Sequence, residues 1–197
     1  MQVLEVRQTE TFATWFQALR DRRARARVQV RIDRLSLGNP GDVRPVGEGV
    51  SELRIDYGPG YRIYFIQRGA TLIVLLAGGD KGSQTRDIGI ALQLARSLWE
   101  NLMAEVRTIP WKTADHLDTP EDIAAYLEAV FEDGDPELIS HALGAVARSK
   151  GMTEIARRTG LGRQSLYKAL SPGGHPEFAT VLNVVRALGL KLTVTAA

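Results

Sequence analysis

The stretch from Val50 to Ser83 constrains the fold of this chain more than any other. It holds three runs rich in β-branched and aromatic residues, and a turn sequence follows each run. These turns are Gly58-Pro59-Gly60, Arg68-Gly69 and Gly78-Gly79-Asp80. Such punctuation predicts three consecutive strands in a small antiparallel sheet. The third run is apolar from Leu72 to Ala77, which is typical of a strand buried on both faces.

Alternation assigns the side chains of the first two strands to two faces. The apolar face holds Leu53, Ile55, Tyr57, Ile63 and Phe65. The opposite face holds Arg54, Arg62 and Tyr64, and Lys81 follows directly after the third strand. Cations with a tyrosine and no nearby histidine suit binding of a phosphate or phosphodiester. A solvated polar sheet face has the same pattern, so both interpretations stay open at this point.

Amphipathic helices flank these strands. Apolar residues spaced by three and four predict a helix over residues 10–19, a second over 20–37 and a third around 88–99. With a short strand over residues 2–7, the predicted order is β-α-α-β-β-β-α, a compact α+β domain with helices packed on the sheet. The second helix also carries a ridge of arginines: Arg20, Arg23, Arg27, Arg31 and Arg34. This ridge is either a solvated face or a track for an RNA backbone.

Composition narrows the class of protein. Of the net charge of +2, residues 1–102 carry +4 and the remainder carries −2, so we expect the two halves to bind each other. The basic charge of the first half is almost entirely arginine, which suits a nucleic-acid partner. There is no cysteine, and the three histidines lack metal-ligand spacing, so we expect no metal and no cofactor. A polar N-terminus and no long apolar run predict a cytoplasmic protein without a membrane partner.

The organisation of the chain changes near Met103. We therefore predict two domains, residues 1–102 and residues 103–197. Met103 is either an interior methionine or the start of a second reading frame joined to the first, by nature or by an experimenter. From Thr119 onward the pattern is helical, since Thr119-Pro120-Glu121-Asp122 and Asp135-Pro136-Glu137 are both helix-start sequences. The second domain, residues 103–197, is therefore predicted to be all α-helical.

Two short helices, predicted over residues 153–159 and 163–170, carry the most specific motif of this half. Ala156 is small where the helices approach, Gly160 permits a tight turn, and Leu166 is apolar where the second helix packs back. These spacings match the helix-turn-helix pattern, although an αα-corner of a bundle would share them. The second helix would present five side chains to a DNA major groove: Arg163, Gln164, Ser165, Tyr167 and Lys168.

The end of the chain follows the same helical pattern. A further helix is predicted over residues 177–188, with Gly189 as its cap. Residues 190–195 then alternate in polarity, which predicts an edge strand or a strand at a dimer interface.

Residues 1–102 resemble the RelE/ParE toxin superfamily, in particular its HigB-like branch. The resemblance rests on three motifs: ELR at residues 52–54, GPGYRIYF at 58–65 and LAGGDKGSQ at 76–84. Residues 103–197 resemble the matching HigA-type antitoxin, through PEDIAAYL at 120–127, GDPEL at 134–138 and GLGRQSLYKAL at 160–170. Together the two resemblances cover nearly the whole chain. They imply a type II toxin–antitoxin pair in one polypeptide.

RelE-like toxins cleave mRNA on the ribosome without a metal, and the 2′-OH of the RNA attacks the adjacent phosphate. The resemblance therefore implies that Arg54, Arg62 and Lys81 stabilise the charge of the transition state. Because arginine hardly deprotonates, proton transfer falls to Lys81 or to a tyrosine, Tyr64 or Tyr57. HigA-type antitoxins neutralise the toxin and repress their operon as dimers through the helix-turn-helix, which implies an operator DNA partner and a homodimer.

One departure from the RelE pattern keeps other functions open. Many RelE-type enzymes have a catalytic tyrosine shortly after the last strand, and residues 83–88 contain none. A ParE-like inhibitor of DNA gyrase is therefore one alternative. A transcription regulator with an inert N-terminal domain is the other.

Overall fold

The computed structural model describes residues 3–100, 107–171 and 173–193. The predicted junction at Met103 and the last two residues of the predicted C-terminal strand lie outside these ranges. The chain forms two compact units, which divide between Lys112 and Thr113. The division falls later than the predicted boundary after residue 102, because residues 108–111 belong structurally to the first unit.

The first unit is built on one sheet whose strands follow the order β2-β3-β4-β5-β1-β6. Its elements in chain order are β1 (Glu5–Thr9), α1 (Glu10–Ala18), α2 (Arg22–Ser36), β2 (Val43–Gly47), β3 (Val50–Ile55), β4 (Tyr61–Arg68), β5 (Leu72–Gly79), α3 (Gln84–Glu100) and β6 (Thr108–Pro110). The three predicted central strands and the three helices are all present. The mixed α+β class is thereby confirmed.

The sheet is mixed, and the prediction of a purely antiparallel sheet is wrong at one position. β1 pairs in parallel with β5, whereas the other neighbouring strands pair antiparallel. The chain between β1 and β5 contains two helices and three strands, so the pair is not closed by a short turn. A long connection of this kind is what a parallel pair requires.

Two edge strands, β2 and β6, are absent from the predicted order. β2 contains Pro45, and its register with β3 shifts between Pro45 and Gly47. Proline cannot donate to a ladder and is confined to edges and bulges, so β2 is a strand that a propensity pattern misses. β6 has three residues and lies in the part of the sequence that was predicted to be all α-helical.

Both faces of the sheet are covered, each by its own cluster of apolar side chains. On one face, α1 and α2 contribute Phe12, Phe16, Val28, Ile32 and Leu35, which pack with Leu53, Ile55, Ile63 and Phe65. On the other face, residues of α3, including Ala91 and Ala95, pack with Val50, Tyr64, Ile66, Val74 and Leu76. The predicted burial of β5 on both faces is confirmed, and the second face is not the open polar surface expected from alternation.

The second unit contains five α-helices among its described residues. After a short 3₁₀ turn at Thr113–His116 they are α4 (Pro120–Asp133), α5 (Pro136–Ser149), α6 (Met152–Thr159), α7 (Arg163–Ala169) and α8 (Phe178–Ala187). Among the described residues of the two units, no helix is long and apolar enough to cross a membrane.

The predicted helix starts are confirmed in atomic detail. The side chain of Thr119 accepts from the backbone N–H of Asp122, whose carboxylate accepts from the backbone N–H of Thr119, a reciprocal capping box. Asp135 caps α5 by accepting from the N–H groups of Glu137 and Leu138. Between the two helices Gly134 adopts a φ of 78°, which a side chain would disfavour.

The predicted C-terminal strand does not begin where the sequence pattern places it. Residues 190–193 form no strand, and residues 194–195 lie outside the described ranges. The N–H of Gly189 donates to the carbonyl of Arg186, and the N–H of Leu190 donates to that of Val185. This is a Schellman closure of α8, and it commits the first backbone donors of the segment to the helix rather than to a ladder.

Candidate functional site

Arg54 on β3 and Arg62 on β4 occupy directly opposed positions in the antiparallel pair. Like charges facing each other across two strands destabilise a sheet unless a counter-ion separates them. The side chain of Arg54 is 29% exposed and that of Arg62 is 12% exposed. The structure therefore brings together two of the predicted catalytic residues and leaves them partly accessible.

The counter-ion is Glu52, a fully buried carboxylate one alternation away on β3. Arg54 Nε donates to Glu52 Oε1 at 2.7 Å, and Arg62 Nε lies 3.4 Å from Glu52 Oε2. Gln84 Nε2 and the Tyr64 hydroxyl also donate to Oε2, at 2.7 Å and 3.2 Å. One carboxylate thus joins β3, β4 and the start of α3, and we call these five residues the Glu52 cluster.

The charge state of Glu52 follows from this network. Burial by itself would raise the pKa of the carboxyl. The hydrogen bonds from Arg54, Gln84 and Tyr64 outweigh burial and hold the pKa of Glu52 below its ordinary value. Reciprocally, the hydrogen bond to Glu52 raises the pKa of Arg54. The cluster therefore holds an ionised carboxylate and two guanidinium cations, an excess of one positive charge.

Tyr64, the third predicted site residue, is buried rather than presented to solvent. Burial first, and then the neighbouring charge of Glu52, raise the pKa of its hydroxyl well above the ordinary value. Since its proton already points to Glu52, this hydroxyl is a positioning group for the carboxylate. In its present surroundings it is poorly suited to accept a proton from a substrate.

Lys81, the fourth predicted residue, is exposed and follows the end of β5. It flanks Gly60 in the β3–β4 turn: the position that a Cβ would take on Gly60 lies 3.8 Å from Lys81 Cβ and 3.5 Å from Arg62 Nη1. Arg62 Nη1 also donates to the Gly60 carbonyl at 2.6 Å. Lys81 therefore lies beside Arg62, and its side chain is exposed to solvent.

The connection between β5 and α3 fixes the position of Lys81. Asp80 Oδ1 accepts from the N–H groups of Gly82 and Ser83 at 2.7 Å and 3.1 Å, an Asx turn that leads into α3. The Ser83 hydroxyl donates to the buried carboxylate of Asp87. Gly79 makes room for that carboxylate, because a Cβ there would lie 1.8 Å from Asp87 Oδ2.

The arginine ridge on α2 is only partly a solvated face. Arg20 and Arg23 are exposed, whereas Arg27, Arg31 and Arg34 are half-buried. The Arg27 guanidinium lies over the Tyr57 ring at 4.7 Å, and Arg31 Nη2 donates to the Pro40 carbonyl at 2.8 Å. Arg27 and Arg31 therefore support the structure of the first unit, a role that their spacing alone did not predict.

In the second unit, the five side chains predicted to contact DNA are all exposed on α7. Leu166, on the same helix, is fully buried, and Ala156 on α6 is buried as well. Gly160 ends α6 with a φ of 69°, the left-handed conformation that the tight turn requires. The Arg163 guanidinium lies over the Tyr167 ring at 5.6 Å. The α6–α7 pair thus has one packed face and one polar, cationic face.

A neighbouring group of charges is partly neutralised by one shared carboxylate, Glu154. Glu154 accepts from Arg157 at 2.7 Å and 2.9 Å and from Arg158 at 2.7 Å. These hydrogen bonds lower the pKa of Glu154 to about 2. The net positive charge of this surface therefore comes from Arg163 and Lys168 on α7 more than from the two arginines of α6.

Comparison with known proteins identifies the second half of the sequence. Residues 107–196 match the model of the family described as probable addiction module antidote protein. One relative from Haemophilus influenzae (strain ATCC 51907 / DSM 11121 / KW20 / Rd) is 44% identical over 95 residues, which are 48% of this chain and 96% of that protein. Through this region the chain belongs to the probable addiction module antidote family. Membership gives it a toxin–antitoxin context and implies a toxin partner.

A second relative from the same Haemophilus influenzae strain is 47% identical over 81 residues, or 41% of this chain and 84% of that protein. Both relatives are described as uncharacterized proteins, so their names add no activity. No solved structure matches the chain. For residues 3–100, function is therefore inferred from the Glu52 cluster itself.

Sequence reasoning missed the residue at the centre of the site. Glu52 and Gln84 both belong to the motifs quoted above, but neither received a role. A usable signal is an acidic residue two positions before Arg54, on the same face of a strand that is otherwise mostly apolar. Where the structure describes the chain, no group of three or more acidic or histidine side chains could hold a metal ion.

Proposed function

We propose that this chain is a toxin–antitoxin pair in one polypeptide, with a RelE-like, HigB-type first unit and a HigA-type second unit. The first unit is a metal-independent, ribosome-dependent mRNA endonuclease. The second neutralises it and represses the operon by binding DNA. The observation that carries the toxin assignment is the Glu52 cluster, in which Arg54 and Arg62 are fixed side by side and Lys81 lies next to them.

The proposed reaction needs only groups that the RNA and this site supply. The 2′-oxygen of the RNA forms a bond to the adjacent phosphorus while the bond from phosphorus to the 5′-oxygen of the next nucleotide breaks. The products are a 2′,3′-cyclic phosphate and a free 5′-hydroxyl. Negative charge grows on the phosphate oxygens as the new bond forms, and preorganised cations stabilise it without reorganising.

Each residue of the cluster has a proposed role in this reaction. Arg62 and Arg54 bind the phosphate oxygens through guanidinium donors that remain after Glu52 is satisfied. Glu52, Tyr64 and Gln84 orient the two guanidinium groups and do not touch the RNA. Proton transfer falls to Lys81, which is exposed beside Arg62. The Tyr64 hydroxyl is buried and committed to Glu52, and Tyr57 packs on the other face of the sheet under Arg27.

The antidote half acts on DNA through α7. A helix with a packed Leu166 and an exposed row of Arg163, Gln164 and Lys168 fits a major groove, in which such side chains contact base edges and phosphates. A homodimer would place two copies of α7 about 34 Å apart on a palindromic operator. Within one chain the toxin and antidote halves stay at a fixed 1:1 ratio and a high effective concentration.

Expression of the two halves in cells tests the pairing. Residues 1–102 alone should arrest growth, the intact chain should not, and residues 103–197 supplied from a second plasmid should restore growth. An intact chain as toxic as residues 1–102 would contradict neutralisation. A first half without any effect on growth would contradict the toxin assignment.

A further inference from the structure

The segment Thr108–Trp111 belongs to the antidote family by sequence and to the toxin-like unit by structure. The family match begins at residue 107, and the first compact unit ends at Lys112. The two regions overlap only over residues 107–112. This overlap contains the strand β6 and one tryptophan.

β6 completes the sheet by pairing antiparallel with β1. The register places Gln8 opposite Ile109 and Thr9 opposite Thr108. Arg7 extends the contact from its side chain, since Nε donates to Thr108 Oγ1 at 2.9 Å and Nη2 donates to the Thr108 carbonyl at 2.6 Å. The N–H of Trp111 donates to the Val6 carbonyl at 2.9 Å.

The indole of Trp111 continues this contact into the core. Only 7% of Trp111 is exposed, and its ring meets Phe16 at 5.0 Å and Phe12 at 5.8 Å, both edge to face. Ile109, two residues earlier on the same segment, is 54% exposed. The segment therefore combines main-chain pairing with a single buried aromatic side chain, as in peptides that bind by strand addition.

We propose that Thr108–Trp111 is the anchor by which the antidote half holds the toxin half, with Trp111 as its principal contact. The partner surface is the edge of β1 along which β6 pairs, together with the aromatic pocket formed by Phe12 and Phe16. This inference rests on the proposed function, which assigns the two halves as toxin and antidote. The anchor itself is a property of the described contacts.

The anchor lies away from the Glu52 cluster. β6 is separated from β4 by β5 and β1, which at the usual strand spacing is about 14 Å. Binding of this segment leaves Arg54 and Arg62 uncovered by it. Attachment of the antidote and access to the cationic site are therefore separable properties of the molecule, and each can be changed by mutation without the other.

A cleavable form of the full chain tests the anchor. A protease recognition sequence is inserted between residues 103 and 104, the purified chain is cut, and the dissociation constant of the two fragments is measured after dilution. Trp111→Ala should weaken the complex at least about 30-fold, as expected for a buried aromatic hot spot. Ile109→Ala, on the same strand but exposed, is the matched control and should change the constant less than about threefold.

A second variant on the opposite fragment guards against a folding defect of Trp111→Ala. Arg7→Ala removes only side-chain hydrogen bonds at the sheet edge and should weaken the complex about tenfold. Fragments that separate no more readily with Trp111→Ala and Arg7→Ala than with Ile109→Ala would overturn the anchor. The readout is association, so an anchor that passes this test stands even if the freed first half cleaves no RNA.

Discussion

Arg62 Nε lies 3.4 Å from Glu52 Oε2, which is an ion pair without a hydrogen bond. Among the described residues, Arg62 Nε has no hydrogen-bond partner. Its neighbour Arg54 makes a close hydrogen bond to the same carboxylate, through Oε1. Glu52 therefore holds the Arg62 guanidinium in place by charge without saturating it. Because Arg62 Nε is itself buried, a phosphate would bind the terminal nitrogens of this fixed guanidinium.

Removal of Arg62 should abolish most of the RNA cleavage by the freed first half. We expect Arg62→Ala to lower the cleavage rate by about 10²–10³-fold, the effect typical of losing one preorganised donor to a growing negative charge. Arg96→Ala is the charge-matched control, because Arg96 pairs with Glu48 on the surface of α3. Single-turnover cleavage of a ribosome-bound message measures both rates. Equal losses in the two variants would show that net charge, and not this site, governs cleavage.

Glu52 should matter for stability as well as for activity. Glu52→Gln leaves Arg54 and Arg62 opposed without a buried counter-ion, so we expect the free energy of unfolding to fall by about 2–3 kcal/mol, less than for a fully buried pair because Arg54 is partly exposed. Glu48→Gln, which removes an exposed carboxylate, should leave it nearly unchanged. Urea denaturation of the full chain compares the two. A drop of the same size in both variants would argue against a special role for Glu52.

The lowered pKa of Glu52 predicts an acid-sensitive fold. The hydrogen bonds that lower the pKa stabilise the folded state fully above the ordinary value of 4.5, and this contribution is lost as the pH falls below 4.5 towards the folded-state value. The parent chain should therefore lose more stability than Glu52→Gln between about pH 5 and pH 3. Urea midpoints at the two pH values give the comparison. Parallel losses would indicate that Glu52 has the same pKa in the folded and unfolded chains.

Gly79 should tolerate no side chain. A Cβ at this position would lie 1.8 Å from Asp87 Oδ2, and the Asp87 carboxylate is buried and held by Ser83. Gly79→Ala should destabilise the chain by about 1–3 kcal/mol through overpacking. Gly89→Ala, in the middle of α3 with no atom within 4 Å of the new Cβ, should be neutral or slightly stabilising. Thermal unfolding distinguishes the two, and equal midpoints would mean that the loop adjusts freely.

The proposed DNA-contacting surface of α7 predicts a change in both the affinity for DNA and its salt dependence. Lys168→Ala should weaken binding to the chain's own upstream DNA and reduce the slope of log affinity against log salt by about one. Arg157→Ala is the control, because this arginine is already paired with Glu154. Fluorescence anisotropy at several salt concentrations gives both slopes. Binding that is unaffected by Lys168→Ala would remove α7 from the interface.

The central strands and the helix boundaries could be predicted because local patterns determine them. The turn sequence Gly58-Pro59-Gly60 predicts the end of the first central strand, and in the structure this turn follows β3. The Thr119 and Asp135 caps depend on residues within three positions of each. The separation of Leu53 and Ile55 from Arg54 followed from the two-residue period of a strand. Each of these effects acts over a few neighbouring residues, so it can be predicted from a single sequence.

The parts that could not be predicted depend on contacts between distant residues. Glu52 is central only because Arg62, Tyr64 and Gln84 meet it from other elements. β6 has three residues, and it exists because Arg7 and Val6 supply its partners from far away in the chain. The sequence likewise placed Tyr64 on a polar face, since alternation does not reveal that α3 covers that face.

Primer extension on cellular transcripts after a pulse of residues 1–102 tests whether the first half cleaves RNA. We expect fresh 5′ ends within translated messages, none after a pulse of the intact chain and none with Arg62→Ala. Growth arrest with intact messages and damaged DNA would contradict RNA cleavage and indicate a gyrase inhibitor of the ParE type instead.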